Sequence, residues 1–207
     1  MTKAPQLPRL YAVIDSALFP GGLRELIGFA EELLAGGATL LQYRNKTGTT
    51  REILSHTREL RRAAPTTQLI MNDRADLCLA ADFNGVHLGQ DDLSSAGARK
   101  IVGESRWIGV STHNKLQVEE ADFGPADYVA IGPVFATRSK QNPDPVMGLE
   151  GVRQARMATR KPLVAIGGIT RETCRDVIQA GADAVAVISD LIDSPRKSVE
   201  AFLRVLE

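Results

Sequence analysis

One unit recurs along the whole chain and limits what it can fold into: a short apolar run, a longer amphipathic run, and a turn signal before the next apolar run. Eight runs have the length and β-branched content of strands: Leu10–Asp15, Thr39–Arg44, Gln68–Asp73, Gly85–Gly89, Trp107–Thr112, Tyr128–Val134, Leu163–Gly168 and Ala184–Ser189. Helical stretches such as Leu23–Ala35, Arg51–Ala64 and Glu172–Ala180 lie between them. In Leu23–Ala35 the residues Leu26, Ile27, Ala30, Leu33 and Leu34 fall at helical spacing and make one apolar stripe. Three helices run into Gly36-Gly37-Ala38, Asn84-Gly85 and Gly181-Ala182, where a glycine at positive φ is expected to close the helix. Strand and helix in alternation imply right-handed crossovers and a parallel sheet. Eight such strands close on themselves more naturally than they lie open. The expected architecture is a single-domain (β/α)8 TIM barrel over residues 1–207, with an open doubly wound sheet as the alternative.

Composition narrows the partners. Apolar residues make up 43% and charged residues 24%, enough for a sizeable core under a well-solvated surface. Lys+Arg and Asp+Glu are balanced at 25 each, so the chain lacks the basic surplus of a nucleic-acid binder. No apolar run approaches the ~18 residues of a membrane span, and Met1–Leu10 lacks a signal-peptide core, so a cytoplasmic protein with no membrane partner is expected. Cys78 and Cys174 fall in apolar helical contexts and read as buried structural thiols.

The polar residues fall at one end of the strands. Strand two ends in Gln42-Tyr43-Arg44-Asn45-Lys46, strand three in Asn72-Asp73-Arg74, strand four in His87-Leu88-Gly89-Gln90-Asp91-Asp92 and strand five in Ser111-Thr112-His113-Asn114. Strand six leads into Gly132–Lys140, strand seven into Gly167-Gly168-Ile169 and strand eight into Ile188-Ser189-Asp190. Each cluster has a plain structural reading. Gln42, Arg44 and Lys46 could be a solvated strand edge; Asn72-Asp73 and Asp92 could cap the helices that follow; Gly167-Gly168 could serve only a tight turn. Their shared position favours chemistry, because strand C-termini and the loops after them form the active face of such a barrel.

The residues there suit anions. Arg44, Lys46 and Lys140 are cations, and Gln42, Asn72, Thr137 and Ser139 add polar donors, a set that fits a diphosphate. Asp73 and Asp92 are two carboxylates on neighbouring strand ends, a reasonable pair for Mg²⁺. Gly167-Gly168 and Ile188-Ser189 suggest a second phosphate cradle after strands seven and eight. Two anion subsites across one mouth argue for two phosphorylated substrates. His87 reads as a packed, hydrogen-bonded histidine, while His113 could touch substrate or orient a loop.

Taken together, Gln42–Lys46, Asn72–Arg74, Gly85–Asp92, Gly132–Thr137 with Lys140, and Ala165–Ile169 resemble the thiamine phosphate synthase family, in its order and spacing from Leu10 to about Leu191. The resemblance implies an enzyme that joins 4-amino-2-methyl-5-hydroxymethylpyrimidine diphosphate to a plain or carboxylated thiazole phosphate, with Mg²⁺. It implies that Gln42, Arg44, Lys46, Asn72, Ser111 and Lys140 hold the pyrimidine diphosphate, with Lys140, Ser111 and Arg44 closest to the chemistry. Asp73 and Asp92 would then hold the metal. Thr137, Ser139, Gly168, Ile188 and Ser189 would hold the thiazole phosphate. Phe135–Gly148, long for its place, reads as a lid carrying Lys140. The related thiazole tautomerases, working by proton transfer, and a non-catalytic phosphate-ligand sensor are the alternatives.

Overall fold

The computed structural model describes residues 6–137 and 144–207. Eight parallel strands, β1 (Leu10–Asp15), β2 (Leu40–Arg44), β3 (Gln68–Asn72), β4 (Gly85–Leu88), β5 (Trp107–Thr112), β6 (Tyr128–Ile131), β7 (Leu163–Ile166) and β8 (Ala184–Val187), close into a barrel in sequence order. Closure is direct, with Leu10, Tyr11 and Ala12 of β1 in register with Val185, Ala186 and Val187 of β8. The helices α1 (Leu23–Ala35), α2 (Thr50–Ala63), α3 (Ala75–Ala80), α4 (Ser95–Val102), α5 (Lys115–Phe123), α6 (Gly148–Ala158), α7 (Cys174–Gln179) and α8 (Pro195–Leu206) alternate with them. The open doubly wound sheet is thereby excluded. No helix among the described residues is long and apolar enough to cross a membrane.

Two apolar shells explain why the strands are apolar nearly throughout. The larger lies between barrel and helices and takes in Leu26, Leu33, Leu41, Leu60, Val152 and Phe202. The smaller fills the barrel interior with Tyr11, Val13, Leu40, Ile70, Tyr128, Ala130, Val164, Ala184 and Ala186. A strand covered on both faces has no polar side to show, so all four residues of β8 are buried.

Helix termination follows one device at three places, with one difference from the sequence pattern. After α1, Gly37 (φ +100°) and Ala38 donate to Leu34 O and Leu33 O; after α7, Gly181 (φ +114°) and Ala182 donate to Ile178 O and Val177 O. After α3 the same pair of bonds runs from Asp82 and Phe83 to Leu79 O and Cys78 O, so Asp82 (φ +51°) takes the left-handed position and Gly85 does not. Gly85 instead opens β4, where a Cβ would lie 2.6 Å from Trp107 O. Asp and Asn tolerate this conformation because a short polar side chain solvates the backbone locally, at a cost glycine avoids.

Most strands stop short of their apolar runs. β6 ends at Ile131, ahead of Pro133 with its missing N–H, and β7 and β8 end at Ile166 and Val187. Asp73 lies beyond β3 with φ +63°. The residues past each strand turn into the barrel mouth.

Candidate active site at the barrel mouth

A cavity of about 470 Å³ opens at the C-terminal ends of the strands. Gln42, Arg44, Lys46, Asn72, Asp73, Asp92, Ser111, Thr137, Gly168, Ile188 and Ser189, drawn from seven strands and the loops after them, all line it. Ser139 and Lys140, and with them the centre of the expected lid, lie outside the described residues.

One side of the cavity is charged. Alternation along β2 turns Gln42 and Arg44 the same way, and the β1 register sets Arg44 beside Asp15. The Arg44 guanidinium pairs with that carboxylate, which also accepts from Ala17 N at 3.2 Å. Lys46 Nζ lies 2.5 Å from Asp73 Oδ2. These cations are held in place by carboxylates rather than free on a strand edge.

Asp73 is unusual for its backbone and for its charge. Its positive φ is a strained position for a residue with a side chain, fixed by its N–H donating to His87 O at 2.7 Å. Burial raises its pKa, the adjoining Asp92 carboxyl raises it further, and Lys46 works in the opposite direction. Neither aspartate caps a helix. Arg74 occupies the cap of α3 with no side-chain bond, and Ser94 caps α4 through Gly97 N. Asp92 Oδ2 accepts instead from Gly89 N at 2.7 Å, which pins the β4 loop and sets this carboxyl beside Asp73.

Two adjoining carboxyls opposite one lysine leave negative charge that a divalent cation would balance. Among the described residues no cluster of three or more His, Cys, Asp or Glu side chains forms a metal cage. The pair fits an ion that keeps water and takes phosphate oxygens, as Mg²⁺ commonly does. Nearby, Asn72 Nδ2 is buried with no hydrogen-bond partner among the described residues, a donor whose desolvation a ligand acceptor would offset.

The cavity floor is a connected polar network. Gln42 Nε2 donates to Tyr11 Oη at 2.8 Å, Tyr11 Oη is 3.1 Å from Tyr128 Oη, and Tyr128 Oη is 3.0 Å from His87 Nδ1. His87 Nε2 is 2.9 Å from Ser111 Oγ. Burial pushes the His87 imidazole down to about 4, so it is neutral at physiological pH. His87 is therefore a packed, doubly hydrogen-bonded histidine that also supports a cavity residue. His113 Nδ1 is 2.6 Å from Gly132 O and 3.5 Å from Asp144 Oδ2, so the ring also orients the loop after β6.

The opposite side carries Gly167, Gly168, Ile188 and Ser189. Gly167 and Gly168 both have positive φ. A Cβ on Gly167 would lie 2.6 Å from Pro133, and one on Gly168 would collide with Ala136 O. Glycine is needed here to pack the β7 loop against the β6 loop, so the tight-turn reading is correct and coexists with a place at the cavity wall. Ile188 and Ser189 lie beyond β8, with Ser189 opening a 3₁₀ turn over Ser189–Leu191. Arg171 anchors that turn, its Nε 3.0 Å and its N 3.1 Å from Asp190 Oδ2.

Three lining or supporting residues escape the sequence pattern. Tyr11 and Tyr128 sit inside apolar strands, where a tyrosine looks like any other core residue. Asp15 closes the first strand, and a lone acid after an apolar run carries no signal until Arg44 is seen beside it.

A family model described as thiamine monophosphate synthase matches residues 10–191. The thiamine-phosphate synthase of Koribacter versatilis is 59% identical over 209 residues, spanning 100% of this chain and 99% of that one. The thiamine-phosphate synthase of Chloroflexus aurantiacus is 41% identical over 186 residues, 89% of this chain and 85% of that one. Among solved structures, a thiamine phosphate pyrophosphorylase from Pyrococcus furiosus superposes with a TM-score of 0.85 at 33% identity, covering 96% of this chain and 95% of its own. A 3-hexulose-6-phosphate synthase matches with a TM-score of 0.75 at 17% identity, a likeness of fold alone.

Proposed function

The chain belongs to the thiamine monophosphate synthase family and is a transferase, and on that premise we propose how its barrel mouth joins an aminopyrimidine diphosphate to a thiazole phosphate. The observation that carries the proposal is the division of one cavity. Lys46, Arg44 and the Asp73–Asp92 pair stand on one side, and Gly167, Gly168, Ile188 and Ser189 on the other.

The diphosphate lies on the charged side, against Arg44, Lys46 and Asn72, with Lys140 added from the loop after β6. Asp73 and Asp92 would hold Mg²⁺, which when bound neutralises charge on the diphosphate oxygens. Gln42 and Ser111 contact the pyrimidine. Thr137, Ser139, Gly168, Ile188 and Ser189 hold the thiazole phosphate. The bond between the pyrimidine methylene and the diphosphate oxygen breaks, and its electron pair leaves with the diphosphate. The electron-rich aminopyrimidine carries the positive charge until the thiazole nitrogen donates its lone pair to the methylene carbon.

No protein nucleophile is required. The residues stabilise the leaving anion and set the two reactants in line. The two free, buried thiols, Cys78 and Cys174, suit the reducing interior of a cell and support a cytoplasmic location.

Single substitutions on the two sides test this division by steady-state kinetics. Lys46→Ala is expected to raise KM for the pyrimidine diphosphate about tenfold or more and leave KM for the thiazole phosphate nearly unchanged. Ser189→Ala is expected to do the reverse, more mildly. Equal effects of each variant on both substrates would contradict the assignment of subsites.

A further inference from the structure

We infer that Gln42, Tyr11, Tyr128 and His87 form a one-way hydrogen-bond relay that fixes His87 as its Nε2–H tautomer and makes Ser111 a hydrogen-bond donor to the substrate. The inference rests on the reading that Ser111 faces the pyrimidine. Its subject is how three residues with no assigned part in the reaction set the polarity of that contact.

The direction follows from counting protons. Gln42 Nε2 can only donate, so Tyr11 Oη is the acceptor of the 2.8 Å bond between them. Both phenols are buried and their pKa values are raised above the usual tyrosine range, so each keeps its one proton. Among the described residues Tyr11 has one other partner, Tyr128, and donates to it. Tyr128 has then accepted from Tyr11, and its own proton goes to the remaining neighbour, His87 Nδ1. A neutral imidazole that accepts at Nδ1 carries its proton on Nε2, which donates to Ser111 Oγ at 2.9 Å. The serine has no need to donate back, and its hydroxyl proton is left for the cavity that Ser111 lines.

The barrel is built around this alignment. His87, Gly109 and Tyr128 stand side by side in register across β4, β5 and β6. A Cβ at Gly109 would collide with the Tyr128 ring, so the glycine provides the space in which that ring stacks 5.6 Å from His87. Gln90 Nε2, 2.5 Å from Ser111 O, fixes the serine backbone from outside the barrel interior.

At the two ends the relay presents opposite groups: the Gln42 carbonyl as an acceptor and the Ser111 hydroxyl as a donor. Reversing every bond would exchange these roles, and a buried site rejects a ligand whose donors and acceptors are interchanged. Tyr11, Tyr128 and His87 act through Gln42 and Ser111 and are positioning residues.

The imidazole ¹⁵N spectrum at neutral pH reads the relay directly, independently of turnover. His87 is expected to carry its proton on Nε2 in the unsubstituted protein. Tyr11→Phe should loosen the preference for that tautomer, because Tyr128 loses the bond that sets its direction. Tyr128→Phe should release it to a mixture and lower kcat about tenfold, leaving KM for the thiazole phosphate unchanged. Finding the proton on Nδ1 in the unsubstituted protein, or an unaltered tautomer in Tyr128→Phe, would overturn the inference. An Nε2–H tautomer in a protein that releases no diphosphate from the two substrates would reject the substrate assignment and leave the relay intact.

Discussion

At Asp73 two costs coincide: a left-handed backbone on a residue with a side chain, and a carboxyl set against a second one. Folding alone gives no return for either, and the two together are why we propose a bound divalent cation at this pair. Asp92→Ala is expected to lower turnover about tenfold or more while thermal unfolding stays within a few degrees of the unsubstituted protein. Turnover near the original level would remove Asp92 from the site. His87 makes a prediction about stability. Its pKa falls from 6.5 unfolded to about 4 folded, so above pH 6.5 neither state binds the proton and nothing is lost. As pH drops toward 4 the unfolded chain takes the proton first, and stability falls by up to ~3 kcal/mol. Denaturant titrations from pH 7 to 4 should show this slope and a flatter one in His87→Asn; equal slopes would contradict it. The strand-end residues Lys46, Asp73 and Asp92 were legible in the sequence because they fall in clusters of polar groups after apolar runs, where a lone Asp15 does not. Tyr11 and Tyr128 were not, because a phenol inside such a run shows its hydroxyl only when its partners are known.

At the scale of elements, the same short motif ends three helices, with glycine at Gly37 and Gly181 and aspartate at Asp82. Glycine spacing therefore located two stops and misplaced the third, since an aspartate serves the same geometry at some cost. Asp82→Gly should relieve that cost, stabilise the protein by about 0.5–1 kcal/mol and raise its melting temperature by roughly 1–4 °C. A lower melting temperature would show that the Arg106–Asp82 pair outweighs the backbone term. At the β7 loop the opposite change is harmful. Gly168→Ala meets both a positive φ and Ala136 O, and should weaken thiazole phosphate binding measured by calorimetry. Unchanged affinity would mean that the loop does not contact this substrate. Strand ends were drawn too far in the sequence because the residues after β6, β7 and β8 are, Ser189 apart, themselves apolar or glycine. They leave the sheet to form the cavity wall.

For the molecule as a whole, alternation of apolar and amphipathic runs was sufficient to give eight strands and a closed parallel barrel. Helices and interior side chains cover each strand on both faces, and that double coverage is what makes the runs readable. The pairing of cations with carboxylates across strands was not readable, because Arg44 and Asp15 are brought together only by the β1–β2 register. The central claim is that one mouth holds two phosphorylated substrates and a divalent ion at once. Its most direct test is diphosphate release from the purified protein, given each substrate alone and both together, in Mg²⁺ or in EDTA. Release should appear only with both substrates and Mg²⁺. Release from the pyrimidine diphosphate alone at the same rate, or full release in EDTA, would contradict the account.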